Sequence, residues 1–223
     1  MTNIITLYEL VNKPDELISF SPFVITVKLF LLHKGLEFET VPLTYIEVEK
    51  KIKKLTKGKW SKVPLLKLPN GDLIYDSQKI GKYLDSIHQE YPLNINNPNW
   101  SILDVYNNLD NFNKPKYLST METRIDIPIE EFVKNRELKL NEYYKRTKNI
   151  GELLNTSLYL NGNEPGYYDY ILIGKIQFLR VISPITFENF IVNNPSKSIF
   201  MWVERMLGLF GGYLKYERNI RDI

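Results

Sequence analysis

The sequence contains no cysteine. That excludes a disulfide framework, a thiolate-ligated metal and a cysteine nucleophile, whatever the fold. Histidine is scarce, with only His33 and His88; both read as partly exposed helix residues, and together they supply a metal centre or a serine-hydrolase triad poorly. No apolar run approaches the roughly 18 residues of a membrane-spanning helix. Met1 to Leu10 lacks the basic segment and apolar core of a secretory signal, so a cytoplasmic protein without a membrane segment is expected. The net charge of +3 is too small to call for nucleic acid. One stretch is biased: Lys50 to Lys62 holds seven lysines and no acid. It has no arginine for base recognition and no aromatic except Trp60. It reads as a solvated face, or as a positive rim that attracts a small anionic ligand.

Hydrophobic residues make up 43% of the 223 residues and charged residues 25%, the balance of an ordinary globular chain with length for two small domains. Ile4 to Leu10 reads as a buried strand, and a polar loop, Asn12 to Glu16, follows. Ser21 before Pro22 and an apolar run is an N-cap with proline at the first helical position. The helix runs from Pro22 to Lys34, and Gly35 stands where a left-handed cap belongs. Phe38 to Leu43 is a second strand, parallel to the first through a right-handed crossover. Ile46 to Leu55 is a short helix. Val63 to Leu68 and Leu73 to Tyr75 flank Asn70-Gly71, the signature of a two-residue hairpin turn. Ser77 to Gln89 closes the unit with a helix whose apolar face is Ile80, Tyr83, Leu84 and Ile87. The order β-α-β-α-β-β-α is a thioredoxin-like unit with a four-stranded mixed sheet.

Turn formers from 90 to 99 read as a linker. Beyond Trp100 the pattern is helical only. One helix carries Ile102, Val105, Tyr106, Leu109 and Phe112; others run from about Pro128 to Leu154, from Gly166 through Leu179, and from about Ser196 to Tyr213. The expected division is therefore an α/β domain over 1–89, a linker over 90–99 and an all-α domain over 100–223.

A helix N-terminus bearing a hydroxyl suits an anion, because free N–H groups and the helix dipole favour negative charge there. Ser21-Pro22-Phe23 opens the first helix, Val63-Pro64 opens the third strand and Asp76-Ser77 opens the third helix, all ahead of an all-α second half. In that order the residues resemble the glutathione transferase superfamily over nearly the whole chain. Phe20-Ser21-Pro22, the stretch from His33 to Pro42, Tyr167 to Ile171, Glu204 to Leu207 and Phe210-Gly211-Gly212 are similar to its β-etherase-like and fungal etherase-related, serine-type branch.

The resemblance implies that glutathione is the co-substrate and that no metal is used. Ser21 would donate its hydroxyl hydrogen to the sulfur and favour the thiolate of a thiol whose free pKa is about 8.5. Ser19 and Tyr8 are the alternative donors, although Tyr8 reads better as a strand residue packed in the sheet. Val63, before the cis-proline position Pro64, would present its N–H and C=O to the cysteinyl part of the ligand, as in strand addition. Lys62 matches a position that contacts the glycyl carboxylate, and Phe23 is carried over as a further glutathione-binding residue. Asp76 and Ser77 would take the γ-glutamyl group, the carboxylate at the helix N-terminus and the ammonium on Asp76. Many relatives have glutamate at Asp76. Read without a ligand, Asp76-Ser77 is a helix cap. Gly166 stands where the family's folding cap has a hydroxyl residue, and Asp169 is read as its structural carboxylate. The aromatics Tyr106, Phe112 and Tyr117 are candidates for the second-substrate side of the cleft.

The implied activity is attack of glutathione on a small hydrophobic electrophile (an aryl ether, aryl halide or peroxide) by a detoxifying homodimer. The alternative is a transferase-like protein that binds a ligand or partner without catalysis. Thiol transfer on mixed disulfides is disfavoured by the missing cysteine.

Overall fold

The computed structural model describes residues 4–11, 19–95 and 136–216. Strands β1 (Ile5–Leu10), β2 (Phe38–Leu43), β3 (Leu65–Lys67) and β4 (Leu73–Tyr75) form one sheet in the order β2-β1-β3-β4. β2 is parallel to β1, with Ile5 opposite Phe38 and Leu10 opposite Leu43. β3 is antiparallel to β1, pairing Tyr8 with Leu65, and β4 is antiparallel to β3, pairing Leu65 with Tyr75. With α1 (Pro22–His33), α2 (Tyr45–Leu55) and α3 (Ser77–Ile87), this is the expected thioredoxin-like unit.

The three helices are buried to different degrees, and their sequences say why. α1 is apolar on all sides: Val24, Ile25, Val27, Leu29, Phe30 and Leu31 are each at most 1% exposed, so it lies inside the molecule, as a helix with no polar face must. It starts at Ser21 and Pro22 and is followed by Gly35 at φ 63°, the left-handed position that glycine adopts without a steric cost. α2 is one-sided. Val48 and Ile52 are buried, whereas every lysine from Lys50 to Lys62 is exposed. α3 buries Ile80 and Leu84 completely, but Ile87, expected on the same face, is 47% exposed; it is the last residue of the helix, where His88 turns extended.

The hairpin differs from the expectation. Leu68 N–H donates to the Asp72 carbonyl (2.8 Å) and Gly71 N–H to the Leu68 carbonyl (2.9 Å), so the loop is the three residues Pro69-Asn70-Gly71. Pro69 presets the first turn position and Gly71, at φ 92°, takes the left-handed one, which is the geometry of the three-residue hairpin.

The C-terminal part is helical: α4 (Arg136–Leu154), α5 (Tyr167–Ile182), a short α6 (Pro184–Phe187) running into a π-helical turn (Glu188–Val192), and α7 (Lys197–Tyr216). The expected helix from Ile102 to Phe112, the start of the next at Pro128, and Tyr106, Phe112 and Tyr117 lie outside the described residues. α6 and its π turn have no counterpart in the sequence reading. α7 was expected to be continuous; instead Leu209 is extended and Phe210, Gly211 and Gly212 all have positive φ, a break that the glycine pair permits.

α5 packs along α1. At the crossing, a Cβ on Gly174 would lie 2.8 Å from the Pro22 carbonyl oxygen and 2.7 Å from Thr26 Oγ1, so only glycine allows this approach. Thr26 Oγ1, in turn, donates to the Pro22 carbonyl (2.9 Å). One apolar core joins α1, α3, α4, α5 and α7, and a second lies on the other face of the sheet around Tyr8, Leu43, Val48, Ile52 and Leu65.

Candidate functional site

The sheet register brings the sequence candidates to one end. β1 runs towards that end; α1 starts there with Ser21 and runs back. β3 begins there just after Val63-Pro64, and β4 ends there, one residue before Asp76. The site is thus built on the carboxyl ends of β1 and β4 and on the N-termini of two helices, α1 and α3.

Ser21 is the N-cap of α1. Its backbone is extended and its Oγ accepts a long hydrogen bond, 3.4 Å, from Val24 N–H. The residue is 5% exposed, and among the described residues its hydroxyl proton meets no acceptor. α1 has no acidic residue in its first turn, so no carboxylate of its own offsets the positive end of its dipole. Tyr8 is not at the site surface. It packs in the core on the α2 side of the sheet, and burial, then Glu39, push its hydroxyl pKa up. Ser19 is 3% exposed and forms an antiparallel bridge with Val11 just past the end of β1.

The Val63-Pro64 peptide bond is cis. Pro64 is buried, Val63 half-buried and Lys62 exposed. Trp60, noted in the sequence only as the one aromatic in a lysine run, stacks on Tyr75 at 5.0 Å, and its buried Nε1–H finds no acceptor among the described residues.

Asp76 holds a backbone conformation that side-chain-bearing residues rarely adopt, φ 76° and ψ 124°, while its Oδ1 accepts from Gln78 N–H (3.0 Å) and Lys79 N–H (3.2 Å). The cap reading of this pair is therefore satisfied by one carboxylate oxygen. Strained backbone of this kind gathers at functional sites. Ser77 follows as the first helical residue and is half-buried.

Phe23, Asp76 and Ser77 meet at a cleft of about 390 Å³ between α1, α3 and α5, which also takes in Pro22, Tyr168 and Lys175. Ser21, Lys62, Val63 and Pro64 do not line that cleft; they sit beside it at the same end of the sheet. Sequence reasoning did not single out Lys175 for the cleft, although a lone charge inside the apolar run from Ile171 to Leu179 was its signal.

A second unforeseen feature lies beneath α1. Lys28 Nζ is 2.7 Å from Glu9 Oε2, and both side chains are under a tenth exposed. Burial pushes the Glu9 carboxyl up, but the Lys28 ammonium beside it outweighs that and holds it below the usual carboxylate range. The signal was again a charge inside an apolar pattern, at the end of β1 and in mid-helix.

Asp169, at the start of α5, is fully buried and accepts from Leu160 N–H (2.8 Å), Asn161 N–H (3.2 Å), Gly166 N–H (3.0 Å) and Trp202 Nε1–H (2.8 Å). Its role is structural. A Cβ at Gly166 would stand 2.7 Å from Asn161 Cγ, so here the Asn161 side chain fills the space that a larger residue would need. Among the described residues no group of three or more histidine or acidic side chains could hold a metal ion, and no helix is long and apolar enough to cross a membrane.

A thioredoxin-like unit followed by a helical domain is the glutathione S-transferase fold. Residues 20–87 match the family model described as the glutathione S-transferase N-terminal domain. Among solved structures, the chain is similar to a glutathione S-transferase of Ceriporiopsis subvermispora in complex with glutathione, at 16% identity and TM-score 0.69, covering 99% of this chain and 100% of that one. It is similar to a glutathione S-transferase from Rhodospirillum rubrum at 16% identity and TM-score 0.68, covering 99% and 95% of the two chains. It is also similar to a Tau class glutathione S-transferase from mango at 17% identity and TM-score 0.69, covering 98% and 95%. No curated protein sequence matches the chain.

Proposed function

We propose that the protein is a cytoplasmic, homodimeric glutathione transferase of the serine type, acting on small hydrophobic electrophiles. The residues that resemble the β-etherase-like and fungal etherase-related branch make aryl ethers the first substrates to try, with aryl halides and peroxides next. The single observation that carries the reading is Ser21: a buried hydroxyl at a helix N-terminus with no acidic residue in its first turn, whose proton meets no acceptor among the described residues. A neutral ligand would gain little from it. An anionic sulfur gains a charge-assisted hydrogen bond worth about 1.5–3 kcal/mol, together with the favourable end of the dipole.

The neighbouring groups fit the rest of a tripeptide carrying one thiol, two carboxylates and an ammonium. The peptide edge at Val63 takes the central residue. Trp60 Nε1–H and Lys62 are donors for one carboxylate, and the Ser77 end of α3 takes the other. Asp76 keeps Oδ2 for the ammonium while Oδ1 caps the helix. When bound, glutathione supplies the thiol, whose proton leaves to water and whose sulfur electron pair forms the bond to the electrophile as the leaving group departs with its own pair. Ser21 keeps its proton throughout and stabilises charge; the exposed ring of Phe23 and the apolar wall of α5 hold the electrophile out of water.

The test is Ser21→Ala, with glutathione binding followed by calorimetry and turnover by 1-chloro-2,4-dinitrobenzene. Binding within about threefold of the parent and a loss of about 10–100-fold in kcat, the size of one charge-assisted hydrogen bond, support the reading. If the parent protein fails to bind millimolar glutathione, the reading is wrong. If it binds but the variant turns over as fast as the parent, Ser21 is not the donor, and a parent that binds without turnover is a non-catalytic relative.

A further inference from the structure

The seven lysines between Lys50 and Lys62 are the strongest concentration of one charge in the chain, and only Lys62 is placed at the glutathione site. With 29 basic and 26 acidic residues in all, the chain would be net negative without them. Among the described residues Lys53 alone of the seven lies within ion-pair distance of a carboxylate, that of Glu49 one turn earlier. α2 arranges the charges. Val48 and Ile52 are buried against the sheet. Ile46, Lys50, Lys53 and Lys54, at i, i+4, i+7 and i+8, share the opposite side of the helix, and all four are exposed. Lys57, Lys59 and Lys62 follow the helix and are exposed as well. Ile46 is 87% exposed and Tyr45 beside it 58%, so this face begins with apolar surface and continues as a row of ammonium groups.

Helix stability accounts for part of the pattern. Lys53 and Lys54 stand in the last turn of α2, where cations offset the negative end of the dipole, and Lys53 pairs with Glu49 at i, i+4. That gives no reason for Lys50 and Lys51 earlier in the helix, for the three lysines beyond it, or for an isoleucine left in water. Nor does the run suit nucleic acid. Lysine is a point charge without the planar fork that reads a base or grips one phosphate. The only aromatic in the run, Trp60, is already stacked on Tyr75, so bases find no platform. A polybasic helix face with apolar residues at its edge matches a surface that offers negative headgroups and an apolar boundary together.

We propose that the outward face of α2, with the lysines that follow it, docks the protein reversibly on an anionic lipid bilayer. Ile46 enters the headgroup boundary and the lysines lie over the headgroups. Each lysine near a negative leaflet strengthens binding about fivefold, about 1 kcal/mol, and the attraction fades as salt shortens the Debye length. For a transferase of hydrophobic electrophiles, docking brings the cleft to the phase in which such substrates dissolve.

The experiment sediments the full chain with vesicles of phosphatidylcholine alone, and with phosphatidylserine as about a third of the lipid. The parent is expected to bind the anionic vesicles at least about tenfold more tightly than the neutral ones, and to be released as salt rises from about 0.05 to 0.5 M. The double variant K50Q/K54Q should bind them about 25-fold more weakly, and Ile46→Ser about tenfold more weakly. The control K67Q/K82Q, which removes two exposed lysines elsewhere, should stay within about twofold of the parent. Ile46→Trp should bind at least as well as the parent and gain an indole emission that shifts to the blue on anionic vesicles. Unchanged melting temperatures for K50Q/K54Q and Ile46→Ser would show that both losses are at the surface.

A parent that does not bind the anionic vesicles at low salt overturns the inference. So does an equal loss in K67Q/K82Q and K50Q/K54Q, which would make the attraction one of overall charge. If Ile46→Ser binds as tightly as the parent and the indole of Ile46→Trp stays in water, the face is a site for a soluble polyanion, and the bilayer is the wrong partner. None of these results bears on Ser21, and a parent that binds no glutathione would refute the functional reading while leaving this inference standing.

Discussion

Two of the polar caps at helix N-termini in this molecule, those of α1 and α5, are used in opposite ways. At α5, Asp169 is fully buried and accepts from three backbone N–H groups and the Trp202 indole; all of its capacity is spent inside the protein. At α1, Ser21 makes one long cap bond and its proton meets no acceptor among the described residues. Buried polar groups are normally satisfied, so a cap with all of its capacity used explains itself, and one with an unused proton leaves a donor for a ligand. The contrast separates a carboxylate that holds the fold from a hydroxyl that is free to act on something bound.

The comparison can be broken most easily at its structural end. Asp169→Ala strands four buried donors, and a loss of about 3–5 kcal/mol is expected, the scale of breaking a buried charged network, read by urea denaturation. Asp169→Asn keeps Oδ1, which serves Leu160 and Trp202, and loses acceptance at the position that serves Asn161 and Gly166; about half of that loss is expected. A cost below 1 kcal/mol for the alanine variant would leave no difference between the two caps. Next in size is Gly174→Ala. Its Cβ would press on the Pro22 carbonyl at 2.8 Å, so α1 and α5 must part, at about 1–3 kcal/mol. Because Pro22 adjoins Ser21, the same variant should also weaken glutathione binding.

The α/β half was legible because its signals are local. Ser21-Pro22, Gly35 and the apolar runs are readable within a few residues, and the parallel pairing of the first two strands followed from connection rules. The hairpin loop came out one residue longer than expected because Pro69 competes with Asn70-Gly71 for the turn. The helical half was less legible. Phe210-Gly211-Gly212 were read as family markers, yet their backbone breaks α7, and α6 with its π turn has no periodicity to announce it. Among the candidate residues, those at chain punctuation were found from sequence, whereas the buried ion pair was not: Glu9 and Lys28 lie apart in sequence, and only the packing of α1 on β1 brings their charges together.

Ser21→Ala sharpens the comparison from the other side. Its long cap bond predicts a stability loss below about 1 kcal/mol, far smaller than at Asp169, alongside the larger loss of turnover; a stability cost equal to that of Asp169→Ala would mark Ser21 as another structural cap.

The smallest effect expected lies where the end of α1 meets the first turn of α5. His33, late in α1, has Nδ1 2.7 Å from the Tyr170 hydroxyl of α5. Burial, then Lys34, lower its pKa below the usual 6.5, against the pull of the Tyr91 and Pro92 carbonyls and Asp85. A histidine whose folded pKa is depressed is neutral in the native state and binds its proton more readily when unfolded, so its contribution is complete above about pH 6.5 and is lost as the pH falls below it. Glu9, held below the carboxylate range, stays charged across that window and adds no slope. Stability should therefore fall by no more than about 1 kcal/mol between pH 7 and pH 5.5, and His33→Gln should remove that dependence. A parent protein equally stable at both values would show that the α1–α5 contact does not depend on the protonation of His33.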